Sequence, residues 1–313
     1  MSQKIIIDTD PGVDDTIAIS TALRSPELEV LGLTSVFGNA ITETTTQNAL
    51  RLVELEGHGS IPVARGCDVP LVVELESIAS EVHGNDGLGN TYLPAPKGKP
   101  ITKSAAEFII DTVRAYPGEV ILVPVGPLTN IALALKADPE IAHMIKKIVL
   151  MGGAVSTPGN ISPLAEANIY HDPHAADIVM QAGCPVVMVG LDVTERVIMT
   201  PQFFEELFRA KNPVTDLMQR ILPVYQDYFN RFVGMKGSIC THDPSAIAYL
   251  LNPDLFKTKP VPVFVETAGR CKGKTIADWH KQWEKRAEIE VCLEVNSAGV
   301  LALLKERLAK DLN

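Results

Sequence analysis

Four aspartates lie close together near the start of the chain, around a Pro-Gly pair. Asp8, Asp10, Asp14 and Asp15 all fall within the eight-residue segment DTDPGVDD. Carboxylates held this close repel one another and raise each other's pKa, and a bound divalent cation removes the repulsion. Hard oxygen ligands beside a tight turn favour Ca²⁺ or Mg²⁺ over zinc. The segment therefore predicts a site for a hard cation, although Asp14 or Asp15 can also cap the helix that follows.

Two other polar segments contain side chains that suit such a site. His242-Asp243-Pro244 supplies a carboxylate beside an imidazole, and its alternative role is an Asp N-cap before a proline. The stretch from Asn160 through Glu166 to Asn168 offers two amides and a carboxylate, which can hold several hydroxyl groups as a sugar requires. Its alternative is a polar surface loop. Both segments remain candidates until their position relative to the aspartates is known.

The segment His171-Asp172-Pro173-His174 is a less suitable metal site despite its two histidines. No further carboxylate or cysteine accompanies it, and Asp before Pro is a strong signal for the start of a helix. We interpret this segment as a helix N-terminus.

Short apolar runs alternate with amphipathic segments along the chain, which predicts the elements that position these residues. The predicted strands are Lys4–Ile7, Val30–Ser35, Val120–Val123, Lys147–Met151, Val186–Val189 and Val261–Val265. The predicted helices are Asp14–Leu23, Thr42–Glu56, Ser104–Tyr116, Asn130–Ala137, Pro173–Ala182, Pro201–Arg209, Val214–Phe232, Pro244–Leu251 and Ala298–Ala309.

Continuous aliphatic strands separated by helices indicate an α/β fold: an open, mostly parallel sheet with helices on both faces and a Rossmann-like core. Ligands of such sheets bind at the carboxyl ends of the strands. The acidic segment and Phe37-Gly38-Asn39 each follow a predicted strand. We expect them to meet at one edge of the sheet.

Length and composition limit the classes of protein that the chain can belong to. The 313 residues carry a formal net charge of −10, which argues against nonspecific nucleic-acid binding. No apolar run approaches the roughly 20 residues that a membrane span needs. The five cysteines form no CxxC or CxxH spacing, which is typical of free thiols in a reducing compartment. We expect a cytoplasmic protein with residues 1–313 in a single domain.

The segment DTDPGVDD resembles the signature of the inosine-uridine-preferring nucleoside hydrolases. The resemblance covers nearly the whole chain, with further matching blocks in the family's order. These blocks are Gly38-Asn39, Gly126-Pro127-Leu128-Thr129-Asn130, Met151-Gly152-Gly153, Asn160, Glu166-Ala167-Asn168-Ile169, Asp172-Pro173 and His242-Asp243-Pro244. The resemblance implies the nucleoside hydrolase fold and hydrolysis of the N-glycosidic bond of ribonucleosides.

The resemblance also implies roles for individual residues. Calcium would be held by Asp10, Asp15, Asp243 and the backbone carbonyl of Val125. The ribose would be held by Asp14, Asn39, Asn160, Glu166 and Asn168, with Met151 lining the sugar. The base would lie near His83 and His242, with Tyr225 and Tyr228 as further contacts.

The implied reaction is attack of a calcium-bound water on the ribose, with Asp10 as general base and His242 as acid for the leaving base. Its transition state is oxocarbenium-like, as in other glycoside hydrolysis. The His242-Asp243 pair resembles the branch that takes pyrimidines, or purines and pyrimidines together, so uridine, cytidine and inosine are the expected substrates. Nucleoside salvage and a homo-oligomer, a tetramer or a dimer, are implied as well.

Three other functions share part of this pattern. Haloacid-dehalogenase-like phosphatases also place Asp-x-Asp after a strand, as at Asp8, but they carry Thr or Ser where this chain has Gly12, and the Asp14-Asp15 pair would have no role. A nucleoside-binding sensor without catalysis would not need an intact set of catalytic residues. A nucleophile pair of Cys240 and His242 lacks a neighbouring oxyanion motif.

Overall fold

The computed structural model of the chain describes residues 2–283 and 285–310, and eleven strands lie within them. They are β1 (Gln3–Thr9), β2 (Leu28–Ser35), β3 (Val63–Arg65), β4 (Val120–Pro124), β5 (Lys147–Met151), β6 (Val186–Val189), β7 (Ile198–Met199), β8 (Ile239–Cys240), β9 (Phe256–Val265), β10 (Thr275–Ala277) and β11 (Glu288–Val295). Among these described residues, nine strands form one sheet in the order β10-β9-β11-β6-β5-β4-β1-β2-β3, and β7 pairs with β8.

Helices connect these strands. They are α1 (Val13–Leu23), α2 (Thr42–Leu55), α3 (Ser80–His83), α4 (Ala105–Ala115), α5 (Thr129–Ala137), α6 (Ala167–His171), α7 (Pro173–Met180), α8 (Leu191–Thr194), α9 (Pro201–Leu207), α10 (Pro213–Tyr228), α11 (Asp243–Leu251) and α12 (Ser297–Ala309). Among the helices described, none combines the length and the apolarity needed to span a bilayer.

The large sheet is mostly parallel, as predicted. The pairs from β3 through β2, β1, β4, β5 and β6 to β11 are all parallel. Only β9, in the part of the sheet described, runs against its two neighbours β10 and β11. The α/β fold class is therefore confirmed.

Strand β1 shows how the sheet is buried on both faces. Ile5 and Ile7 pack into a cluster with residues of α1, α10, α11 and α12, whereas Ile6 packs into a second cluster with residues of α4, α5 and α7. Successive side chains of a strand point to opposite faces, so a strand covered on both sides needs a continuous apolar run. The run ends at Asp8, where the sheet gives way to the polar edge.

Every predicted strand and helix is present in the structure, with differences at the ends. Some strands and helices of the structure were not predicted. Strand β9 begins at Phe256, five residues before its predicted start at Val261. The helix predicted at Val214–Phe232 ends as an α-helix at Tyr228, and Phe229–Val233 is a π-helix that stops at left-handed Gly234. Strand β11 was not predicted, although alternation of apolar and charged residues, as in its sequence EIEVCLEV, is a signal for a half-buried strand. The three residues of β3 are too few for a periodic signal.

A buried ion pair joins three helix C-termini below the polar edge. The Arg24 guanidinium donates from Nε to the Glu56 carboxylate at 2.8 Å, and the two side chains are 1% and 0% exposed. Arg24 also donates to the carbonyls of Leu308 and Lys310 at the end of α12. The pair ties the ends of α1 and α2 to the end of α12.

We expect Arg24→Met to lower the thermal midpoint sharply, because it leaves the Glu56 carboxylate buried without its partner. Loss of one member of a buried pair typically destabilises a protein by about 3–5 kcal/mol. The control is Lys4→Met, whose partner Glu119 is 55% exposed and so needs no partner. Equal midpoints for the two variants in a calorimetric scan would contradict this assignment.

Candidate active site

The acidic segment lies where β1 ends and α1 begins, as its pattern predicted. Asp14 and Asp15 are in the first turn of α1, and Asp243 is the first residue of α11, which packs against α1. Each of these three buried carboxylates places one oxygen within 4.8 Å of the others. The packing of α1 on α11 thus brings together acids from distant parts of the chain.

Asp10 lies beside this group of three and is held by the backbone. The Asn39 N–H donates to Asp10 Oδ2 at 2.7 Å, and Oδ1 is buried without a hydrogen-bond partner among the described residues. A Cβ on Gly126 would come within 2.6 Å of Oδ1, and one on Gly38 within 2.0 Å of Oδ2. Glycine is therefore required at both positions for the two loops to approach this carboxylate.

Burial and mutual repulsion make the metal-free cluster electrostatically unfavourable. Desolvation, followed by the charge of Asp15, raises the pKa of Asp14 to about 7. The same two causes raise the pKa of Asp10, and burial with the charges of Asp14 and Asp15 raises that of Asp243. Asp14 Oδ1, like Asp10 Oδ1, has no hydrogen-bond partner in the part of the chain described. Buried oxygens that lack protein donors fit a hard divalent cation.

Hydrogen bonds distinguish Asp15 and Asp8 from these acids. Asp15 accepts from Thr9 Oγ1, from Gly12 N–H at 2.9 Å and from Asn39 Nδ2 at 2.9 Å. It therefore also caps α1, so the capping alternative is correct for this residue without excluding a ligand role. Asp8 accepts from Thr34 Oγ1 and Asn130 Nδ2, which fits support at the strand end.

Two buried histidines flank the acids. Val13 N–H donates to His83 Nδ1 at 3.1 Å, and Thr194 Oγ1 lies 2.9 Å from His242 Nδ1. Burial lowers the pKa of His83 to about 3 and that of His242 to about 4. Both imidazoles are therefore neutral at neutral pH.

Aromatic side chains of α10 and of the π-helix that follows it lie between the two imidazoles. The ring centroids of His83 and Tyr225 are 5.1 Å apart, those of Tyr225 and Phe229 are 5.0 Å apart, and those of Phe229 and His242 are 6.3 Å apart. The Tyr225 hydroxyl is also close enough to Asp14 to lower the pKa of that acid in part. Tyr228 packs against Phe229 on the half-buried side of α10. Of the two tyrosines expected to contact the base, Tyr225 thus lies in the site and Tyr228 lies next to it.

A second polar group follows β5 and includes the expected ribose contacts. Asn168 Nδ2 donates to the Val125 carbonyl at 2.9 Å and to the Met151 carbonyl at 3.1 Å. Glu166 accepts from the N–H groups of Gly153, Asn168 and Ile169, so it caps α6. The exposed Asn160 accepts from Ala167 N–H and lies at the rim. Val125, Met151 and Asn168 form one contiguous group.

Comparison with known proteins agrees with this geometry over the whole chain. The family model described as inosine-uridine preferring nucleoside hydrolase matches residues 5–302. The chain belongs to this family. It is therefore an enzyme, a ribonucleoside hydrolase, as predicted.

The most similar relatives of this nucleoside hydrolase come from plants and bacteria. A probable uridine nucleosidase 1 of Oryza sativa subsp. japonica is 44% identical over 97% of this chain and 96% of its own. The pyrimidine-specific ribonucleoside hydrolase RihA of Citrobacter koseri is 42% identical over 99% of each chain. A solved plant nucleoside hydrolase, the PpNRh1 enzyme, is 40% identical and superposes with a TM-score of 0.96 over 99% of this chain and 100% of that one.

Sequence reasoning gave no role to several residues that support the site of this nucleoside hydrolase. Asn130 holds Asp8 and also donates to the Ser35 carbonyl at 2.9 Å. Asn48 Nδ2 donates to the carbonyls of Pro11 and Asp86, which joins the acidic turn to the loop after His83. For Asn130 the available signal was an amide shortly after the end of β4, whereas Asn48 lies in the middle of α2 and gave no such signal. The helix start at Asp172 is confirmed, because its carboxylate accepts from Ala175 N–H.

The metal-free nucleoside hydrolase should lose stability as pH rises. The folded pKa of Asp14, about 7, lies above the ordinary value of an aspartate, 3.8. Between these values the folded state binds more protons than the unfolded state, so the free energy of unfolding falls as pH increases. Thermal midpoints in a chelator should therefore decrease from about pH 6.5 to about pH 8, because below this range the lowered pKa values of His83 and His242 act in the opposite direction.

Added calcium should raise the midpoint most at the upper end of this range, where the carboxylates are ionised. Asp14→Asn is the matched variant, and it should show a shallower loss of stability in chelator. A metal-free midpoint that rises with pH over this range would show that the buried acids are not the dominant titrating groups.

Proposed function

We propose that this enzyme hydrolyses ribonucleosides with a preference for pyrimidines, with uridine as the preferred substrate, cytidine and the purine nucleoside inosine as further candidates, and Ca²⁺ as the cofactor. The observation that carries the proposal is the juxtaposition of four buried carboxylates with two neutral imidazoles at the carboxyl edge of the sheet. The first group suits a cation and ribose hydroxyls, and the second suits the carbonyl oxygens of a base. The names of the two relatives, uridine nucleosidase and pyrimidine-specific ribonucleoside hydrolase, support this choice.

Asp10, Asp15, Asp243 and the Val125 carbonyl would hold the cation. The bound ion supplies a Lewis acid that acidifies water and grips hydroxyl groups. Asp10 is the residue we assign as general base, because its buried Oδ1 has no hydrogen-bond partner in the described part of the chain. Burial and the charge of Asp15 raise the pKa of this carboxyl group in the absence of the cation, and a more basic carboxylate is a better proton acceptor.

The ribose would lie between the acids and the group after β5. Asp14 has a free buried oxygen for a hydroxyl, and Asn39 reaches the same acids from the opposite loop. Asn168 and Glu166 place a carbonyl oxygen and a carboxylate near the sugar, where negative charge stabilises an oxocarbenium-like transition state. Met151 and Asn160 would complete the contacts.

His242 would assist departure of the base as a neutral hydrogen-bond donor. The role of acid for the leaving base, expected of His242 from the sequence, needs an imidazole that titrates near neutral pH. Burial lowers the pKa of His242 to about 4, and a nearby cation would disfavour the imidazolium further. A neutral N–H can still stabilise negative charge as it develops on a uracil oxygen. His83 would serve the same part of the substrate.

Substitution of the proposed base gives the first test. Asp10→Asn should reduce release of reducing sugar from uridine by at least about 10²-fold, because it removes the proton acceptor. The control is Asp216→Asn on the exposed face of α10, which should retain wild-type turnover. Normal turnover by Asp10→Asn would eliminate this mechanism.

The panel of substrates should be uridine, cytidine, inosine and adenosine, each assayed with calcium and with a chelator. We expect uridine to have the highest kcat/KM and the chelator to abolish activity. A preference for inosine would refute the pyrimidine assignment while leaving the nucleoside hydrolase class intact. Full activity in the chelator would refute the cofactor.

Truncation of His242 tests the fate of the leaving base. We expect His242→Ala to reduce kcat/KM for inosine more than for uridine, by about 10²-fold for inosine, because a purine leaves more readily when a donor reaches its ring. His143→Ala is the control, since His143 lies in the 3₁₀ segment Pro139–His143 away from the acids. Equal losses for the two substrates would contradict this role.

The assembly and location of the enzyme also remain proposals. We propose one domain, because strands from Gln3 to Val295 belong to one sheet. Exposed Val72 and Phe232, at 67% and 60%, support a homo-oligomer, either a tetramer or a dimer, whose mass light scattering would measure. The cytoplasmic location rests on the cysteine pattern alone.

A further inference from the structure

The imidazole of His242 contacts a residue, Thr194, that has no role in the family resemblance or in the proposed mechanism. Thr194 is fully buried at the end of α8, and its Oγ1 lies 2.9 Å from His242 Nδ1. A ring nitrogen bonded to the protein determines which nitrogen faces the substrate and whether that nitrogen carries hydrogen. The partner of Nδ1 therefore decides what His242 can offer to a base.

The hydroxyl of Thr194 has a different kind of partner from the hydroxyls of four other helical threonines in this chain. Thr16, Thr21, Thr46 and Thr112 each donate to the carbonyl four residues earlier, at 2.6–2.7 Å. This backbone bond is the common choice for threonine in a helix. The Thr194 hydroxyl does not bond to the corresponding carbonyl, that of Gly190, and within the described residues it bonds only to the imidazole of His242.

Among the described residues, the Thr194 hydroxyl has one hydrogen-bond partner, Nδ1 of His242. Its hydrogen is therefore bonded only if Thr194 donates it to that nitrogen. Nδ1 of His242 is then an acceptor, and the neutral ring carries its hydrogen on Nε2. His83 reaches the same state by a different route, because the Val13 backbone N–H can only donate to its Nδ1. The two imidazoles on either side of the aromatic row are thus held in the same tautomer.

The local fold fixes Thr194 opposite His242. Strands β7 and β8 pair antiparallel, with Ile198 opposite Cys240 and Met199 opposite Ile239. The Thr241 N–H donates to the Val197 carbonyl at 2.9 Å, which extends the ladder up to the histidine. This short ladder is too small to stabilise the protein by itself, but it sets the register of the segment after α8 against the segment before α11.

We propose that Thr194 is a positioning residue that holds His242 as an Nε2–H donor toward the nucleobase, so that the site favours bases with a carbonyl acceptor over bases with an amino group. The inference rests on the proposed role of His242 in the reaction. Thr194 touches no substrate atom and acts through the imidazole. Uracil and hypoxanthine carry such carbonyl groups, whereas adenine does not.

The direct test is the tautomer of His242 in the wild-type protein. A long-range ¹H–¹⁵N spectrum of histidine-labelled enzyme should show hydrogen on Nε2 and an acceptor signal from Nδ1. Thr194→Val keeps the shape of the side chain without the hydroxyl and should give a mixture of tautomers, and Thr194→Ser should restore the wild-type spectrum. Hydrogen on Nδ1 in the wild type would overturn the proposal, whether or not any variant folds.

Kinetics supply the second test. Thr194→Val should lower kcat/KM by roughly 10–100-fold, the range seen when a partner that orients a histidine is removed, and Thr194→Ser should recover most of it. The loss should be largest for the substrate that loses most in His242→Ala. Thr21→Val, which removes an equally buried hydroxyl bonded to a backbone carbonyl, should leave activity unchanged.

A double variant separates positioning from general damage to the site. In the His242→Ala background, Thr194→Val should change kcat/KM by less than about 2-fold, because the residue has nothing left to orient. A full additional loss in that background, or a Thr194→Val variant as active as wild type, would overturn the inference. The proposed function and the role of Thr194 can fail separately. Absence of ribose release by the wild-type enzyme would refute the proposed function, and the tautomer of His242 could still be measured in the same protein.

Discussion

The concentration of buried negative charge at the carboxyl edge of the sheet is the constraint on which the rest of the structure depends. Asp10, Asp14, Asp15 and Asp243 are removed from water together, and each ionised group opposes the ionisation of its neighbours. The protein supplies several donors to Asp15 and one to Asp10, yet it leaves an oxygen of Asp10 and one of Asp14 without a partner among the described residues. These free oxygens make sense when the ligand itself brings positive charge and hydroxyl groups.

The low polarity that raises the pKa of the acids also sets the state of the histidines. Desolvation disfavours any charged form, so it raises the pKa of a carboxyl group and lowers that of an imidazole. His83 and His242 are therefore neutral in the same environment that keeps Asp14 partly protonated without metal. One physical cause thus divides the site into a part that attracts cations and a part that donates neutral hydrogen bonds. A nucleoside needs both, since its sugar becomes positive and its base negative as the bond breaks.

Sequence patterns predicted the sheet and the acidic centre because both depend on local signals. The apolar run of β1 and the aspartates that follow it are adjacent in the chain, and the rule for parallel sheets places their junction at the ligand edge. Thr194 and Asn130 were not predicted, since their roles depend on contacts with His242 and Asp8, far away in sequence. The position of Tyr225 in the site became clear only from its contact with His83. No periodicity encodes such pairs.

Assembly of the site from both ends of the chain links ligand binding to folding. Asp14 and Asp15 belong to α1 and Asp243 to α11, and only the packing of these helices brings their oxygens within 4.8 Å. An unfolded chain has no such group, so a cation that binds it stabilises the folded state selectively. The same cation relieves the repulsion that the fold creates. The fold therefore tolerates four buried acids because the cation that completes the enzyme also removes the repulsion between them. Retention of these acids in the core follows from this coupling of cation binding to folding.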